Sequence, residues 1–315
     1  MAQFVFFGGK GGVGKTSMSA AYAHKLATAG DSVLLVSTDP AHSTADVFDQ
    51  EFGDEPTPVE GYDALDALEI DPEQEVTDHL MQTKRALGDQ VSAGIVNEID
   101  RQIELAHQTP GAHESALFDR FIDIMRDHDH DRVVFDTSPT GGTLRLLSLP
   151  EYLGSWINRL VEKREASIDL YERAAIGNRE PRRSAMGDPI LARLRERKET
   201  FEFARETLRN DAAFVLVANP DELSVRETER AVDTLEQRQL TVEGIVANRL
   251  TPAPDDDENG RGARFLRDRI ETERERLEEL RALDPPLLAT IETRVSEVKG
   301  SFLAGVADEL DVDVA

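Results

Sequence analysis

The run Gly9, Lys10, Gly11, Gly12, Val13, Gly14, Lys15, Thr16, Ser17 holds the residues whose types and spacing speak most directly of chemistry. Glycines let a backbone wrap closely enough for successive N–H groups to face phosphate oxygens. A helix starting there adds unpaired donors and the positive end of its dipole. The spacing satisfies G-x-x-x-x-G-K-[ST], in which Lys15 reaches the β- and γ-phosphates and the Thr16 hydroxyl ligates Mg²⁺. That motif needs a strand before it and a helix after it. Phe4 to Phe7 reads as the strand, and the residues from about Lys15 read as the helix. The competing reading, a glycine-rich turn with an incidental Lys-Thr pair, would not need that context. The cofactors implied are ATP and Mg²⁺.

Further polar residues fall at the ends of apolar runs. Asp39 follows Val33 to Ser37 in the segment STDPAH, so its carboxylate belongs near the carboxyl end of a strand, where open α/β sheets bind ligands. An Asx turn with Pro40 is the structural alternative. Asp136 follows VVF and suits an acid that holds Mg²⁺ through its water shell, or a purely structural strand-end Asp. Asn248 closes another apolar run. Lys10 is surplus to an ordinary phosphate loop and reads either as a solvent-exposed charge or as a second functional lysine.

The elements that must position these residues show the same pattern along the chain. Apolar β-rich runs recur at Phe4 to Phe7, Val33 to Ser37, Val133 to Asp136, Phe214 to Ala218 and Gly244 to Asn248, with further strands expected at Leu68 to Ile70 and Leu287 to Ile291. Helical periodicity separates most of them. The expected fold is α/β, a P-loop NTPase with a mostly parallel, doubly wound sheet in one domain over 1–315. Two longer helical stretches, at about 73–126 and 151–209, form an inserted helical subdomain. Apolar stripes at Leu153, Trp156, Ile157, Leu160 and Val161, and at Leu191, Leu194, Phe201 and Leu208, could line a groove or could be ordinary core faces. Pro252 to Gly262 reads as an exposed acidic loop.

Composition narrows the function classes. Lys plus Arg number 36 against 62 Asp plus Glu, a net charge of −26, which disfavours nucleic acid and anionic lipid as partners. Seven of the basic residues are Lys, and the acids are spread throughout, as expected of a surface kept hydrated in a saline cytoplasm. With 0 Cys, disulfides, thiolate metal sites, iron–sulfur ligation and Cys nucleophiles are all excluded. No apolar stretch is long enough to span a bilayer, and no leader pattern precedes the first strand, so a cytoplasmic location is expected.

Beyond the phosphate loop, four segments resemble the ArsA/Get3 family of arsenite-pump ATPases and tail-anchored membrane-protein targeting factors. They are VLLVSTDPAHSTADVF (Val33 to Phe48), LDALEIDP (Leu65 to Pro72), FDTSPTGGTLRLLSLPEYL (Phe135 to Leu153) and LSVRETERAVDTLEQRQLTVEGIVANRL (Leu223 to Leu250). The loop itself is similar to the deviant Walker A of the signal-recognition/MinD/BioD class, in which the extra lysine, here Lys10, reaches across a dimer interface to the partner's nucleotide. The resemblance implies that Asp39 orients the attacking water as a switch I residue and joins Thr16 and Asp136 around the metal. Thr137, Pro139, Thr140 and Gly141 continue into switch II, and the Asn248 amide contacts adenine. It further implies an ATPase working as a nucleotide-switched homodimer that binds a hydrophobic client helix and targets tail-anchored membrane-protein segments.

Departures qualify this. Ser138 and Gly142 stand where targeting members carry Ala and His, and the paired cysteines that hold an interface zinc or a metalloid are missing. The alternatives are an ATPase subunit of an arsenite or anion efflux system and a MinD/ParA-like positioning ATPase. The first loses its thiolate chemistry. The second needs a basic C-terminal helix or DNA face, whereas this chain ends ADELDVDVA.

Overall fold

Strand β1 (Phe4–Gly9) is buried along its whole length. Phe4 and Phe6 enter one core while Val5 and Phe7 enter another, so both faces of the sheet are covered and the strand reads as an unbroken apolar run. The structure, a computed structural model, describes residues 2–38, 43–71, 73–75, 77, 112–137, 157–166, 189–296 and 298–312.

After β1 come α1 (Lys15–Ala29), β2 (Val33–Ser37), α2 (Ser43–Phe48), β3 (Thr57–Pro58) and β4 (Leu65–Glu69). Then follow α3 (Ala112–Arg126), β5 (Arg132–Asp136), α4 (157–166), α5 (Pro189–Asn210), β6 (Ala212–Ala218), α6 (Glu222–Gln237), β7 (Thr241–Leu250), α7 (Arg261–Arg281), β8 (Leu287–Glu292) and α8 (Ser301–Glu309). The strands form one sheet in the order β3-β4-β2-β5-β1-β6-β7-β8, parallel except for β3. All seven strands expected from the sequence form. β3 is an addition, a two-residue edge whose Pro58 suits a position that need not donate along the ladder.

One face of the sheet is covered by α1 and α8, through Met18, Ala20, Leu303, Val306 and Leu310. The other is covered by α3, α5, α6 and α7, through Phe118, Phe121, Phe201, Val232 and Leu280. At the centre of that face Phe6 stacks between Phe135, at 4.4 Å between ring centroids, and Phe214, at 4.9 Å. Each of these rings contributes about 1.5–3 kcal/mol by leaving water, and their stacking fixes β1 between β5 and β6.

Of the expected helical insertion, the described parts at 112–126, 157–166 and 189–210 are helical. Within them Ile157, Val161, Leu191, Phe201 and Leu208 are buried in the sheet's core, with Leu194 packed against it. Among the described residues these positions are core faces. Leu153 and Trp156 lie outside the described residues. The acidic stretch after β7 is exposed as expected and ends where α7 begins.

Candidate functional site

The phosphate loop leaves the carboxyl end of β1 and turns into α1 on three backbone positions that glycine tolerates best. Gly9, Gly12 and Gly14 have φ of 149°, 80° and 97°. At Gly9 an added Cβ would lie 2.3 Å from the Val217 carbonyl oxygen, and at Gly14 it would lie 2.4 Å from Asn248 Nδ2. At Gly12 it would meet nothing within 4 Å, so the loop is packed on its inner side and open on its outer side. The Val13 N–H donates to the Lys10 carbonyl at 3.5 Å, and Lys15 Nζ donates to the same oxygen at 3.4 Å. Lys15 is buried, and Gly14 opens the helix that carries Thr16 and Ser17.

A pocket of about 440 Å³ lies over this loop, a size common for small-molecule sites. Its lining joins Gly12, Gly14, Lys15, Thr16 and Ser17 to Asn248 and Arg249 at the end of β7. A far wall is built from Ile291, Thr293, Arg294, Val298 and Lys299. That wall comes from the least motif-like part of the sequence.

Asp136 is 1% exposed and lies on the strand next to β1, in register with Phe7, two residues before the loop begins. Ser37 Oγ donates to its Oδ2 at 3.5 Å, and the Thr38 N–H donates to its carbonyl at 3.0 Å. Thr137 follows it and donates through Oγ1 to the Phe7 carbonyl at 2.7 Å. Thr16 and Asp136 are hard-oxygen donors set at the same edge of the sheet, the chemistry Mg²⁺ prefers, and the glycine cradle leaves open space above Gly12. The residues present therefore fit a magnesium nucleotide. Asp39, Ser138, Pro139, Thr140, Gly141 and Gly142 lie outside the described residues.

Two side chains of the sequence-derived set have partners that the sequence did not announce. Lys10 Nζ is 4.0 Å from Asp221 Oδ1, with both groups partly exposed. Asp221 also caps α6 by accepting the Ser224 N–H at 2.9 Å. Asn248, 7% exposed, donates from Nδ2 to the Val13 carbonyl at 2.8 Å.

Two buried carboxylates were missed altogether. Glu69, 6% exposed, accepts the Thr44 and Ala45 N–H groups with Oε1. A Glu at the carboxyl end of a strand, next to the apolar Ile70, is a signal that could have found it. Glu273, 4% exposed, accepts the N–H and hydroxyl of Thr251 at 2.8 and 2.7 Å, and Arg269 Nε at 2.8 Å. Nothing in the Arg/Glu-rich pattern of α7 marks it out.

Comparison with known proteins gives one consistent result. The family model described as Anion-transporting ATPase (ArsA_ATPase) matches residues 2–307. A protein of Aquifex aeolicus named putative arsenical pump-driving ATPase 2 is 33% identical over 277 residues, covering 87% of each chain. An ATPase ASNA1 homolog of Paramecium tetraurelia is 33% identical over 259 residues, 81% of this chain and 76% of that one. The ATPase get3 of Pyrenophora tritici-repentis is 33% identical over 251 residues, 79% of this chain and 74% of that one.

Proposed function

This chain belongs to the ArsA-type anion-transporting ATPase family and is an ATPase, and we propose that it works as a Mg²⁺-dependent, nucleotide-switched homodimer that binds hydrophobic membrane-protein segments. The observation that supports the nucleotide part of this reading most is the pocket in which Lys15 and Thr16 face a cavity of about 440 Å³ whose other walls include Asn248; the homodimer and the client rest on the family resemblance. In this reading Lys15 holds the β- and γ-phosphates, with backbone N–H groups of the loop and of the first turn of α1 around them. Mg²⁺ would be held by Thr16 and Asp136 with Asp39, and would neutralise charge across the phosphate oxygens. Asp39 orients the attacking water, Lys10 reaches the partner's nucleotide, and the Asn248 amide contacts adenine. Phosphoryl transfer leaves the protein little covalent work, so the rate comes from positioning and charge stabilisation.

The Asp39→Asn protein tests this reading. It keeps the shape of the side chain but loses the anionic acceptor, so turnover should fall by about 10²-fold or more while ATP affinity stays within a few-fold. With ATP bound it should elute as a dimer by light scattering and retain a fluorescent 20-residue apolar helix. Turnover near that of the unsubstituted chain would return Asp39 to a turn-capping role. A monomer that ignores the peptide would remove the client reading.

The similarity to an arsenical pump-driving ATPase favours a second reading, an ATPase subunit serving anion efflux. The absence of cysteine separates the two, since metalloid stimulation acts through thiolates. ATPase activity raised several-fold by arsenite would favour this second reading.

A further inference from the structure

Asn248 lies near the end of β7 (Thr241–Leu250), and its side chain reaches the phosphate loop across 235 positions of sequence. Its Nδ2 donates to the Val13 carbonyl at 2.8 Å, and its Oδ1 accepts the Arg249 N–H at 2.8 Å. The two bonds fix the amide's orientation, because the flipped group would set one oxygen against another and one N–H against another. Val13 is 1% exposed, so its carbonyl has almost no access to replacement water. The same amide fills the space beside Gly14, the left-handed residue from which Lys15 and Thr16 are launched. Arg249 itself has φ of 61°, rare for a residue with a side chain, and in that bend its N–H meets Asn248 Oδ1.

We propose that Asn248 is a positioning residue for the phosphate loop, holding Val13 and Gly14 in the shape that presents Lys15 and Thr16 to phosphate. This rests on the reading of Gly9 to Thr16 as a nucleotide site, and it adds to the adenine contact. The two roles are compatible, since the bonds to Val13 and Arg249 use one of two amide N–H groups and one of two oxygen lone pairs. They differ in which ligands notice. A residue that only reads the base is silent toward a ligand without one, whereas a residue that shapes the loop affects any chain of phosphates.

The test is calorimetric titration of the unsubstituted protein, Asn248→Ala and Asn248→Asp with MgATP and with magnesium tripolyphosphate, each protein first shown to be folded by its thermal melt. Asn248→Asp is nearly isosteric, so it keeps the test available if the alanine protein fails to fold. Both variants should bind tripolyphosphate at least about tenfold more weakly than the unsubstituted chain. The aspartate variant should be the weaker, because a carboxylate oxygen then faces the Val13 carbonyl and adds negative charge near the phosphates. ATP should lose at least the same factor. Unchanged tripolyphosphate affinity with weakened ATP would overturn the inference and leave Asn248 as a base reader. Unsubstituted protein that binds neither ligand would overturn the phosphate-site reading itself, and the inference with it.

Discussion

The Glu69 carboxylate at the end of β4 accepts the backbone N–H of Thr44 at 3.1 Å, and the same oxygen accepts that of Ala45 at 3.0 Å. Upstream, the Thr38 N–H is held by the Asp136 carbonyl at 3.0 Å. Thr38 is thus held to β5, and the start of α2 at Thr44 and Ala45 is held to β4. Glu69→Ala leaves two backbone donors without their acceptor and should destabilise the protein by about 2–4 kcal/mol in urea unfolding. Turnover should fall further than ATP affinity. Glu69→Gln keeps a carbonyl oxygen in place and should recover much of both. Equal loss in the two variants would show that the negative charge, not the hydrogen bonding, matters there.

The Lys10–Asp221 pair is long and partly exposed, the kind of contact worth about 0–1 kcal/mol, so Lys10 can leave it at little cost. The trans role proposed for Lys10 is open to a mixing experiment. Lys10→Ala and Asp39→Asn proteins should each be inactive alone. Combined, they should regain activity, because one site of a mixed dimer has both Asp39 and a partner's Lys10. No recovery despite demonstrated subunit exchange would assign Lys10 to its own chain's nucleotide.

A net charge of −26 makes the surface repel itself, and that repulsion is screened only at high ionic strength. The thermal midpoint should rise substantially between dilute buffer and molar KCl, with activity following it. Equal midpoints would make the charge incidental to stability.

The strands were legible because sheets covered on both faces write continuous apolar runs, as FVFFGG in β1 does. The loop was legible because phosphate binding restricts residue types within a short local segment. β3 was not legible, since two residues including a proline carry no periodicity. The bond from Asn248 to Val13 was not legible either, because contacts between distant segments leave no local trace. For the same reason the pocket's wall at 291–299 escaped notice, although its residues face the loop. The apolar stripe at Leu191, Leu194, Phe201 and Leu208 had the spacing of either a groove or a core, and only packing against the sheet separates the two.

Phosphate release from ATP by the unsubstituted chain and by Lys15→Ala, each with Mg²⁺ and with the metal chelated, tests most directly whether the Gly9 to Thr16 loop is the site of turnover. The unsubstituted chain should release phosphate only with Mg²⁺. Lys15→Ala should lose about 10²-fold or more in turnover and bind ATP at least about tenfold more weakly, because it lacks the charge that meets the β- and γ-phosphates. Lys15→Ala that hydrolyses ATP as fast as the unsubstituted chain would contradict the assignment and place the chemistry elsewhere in the molecule.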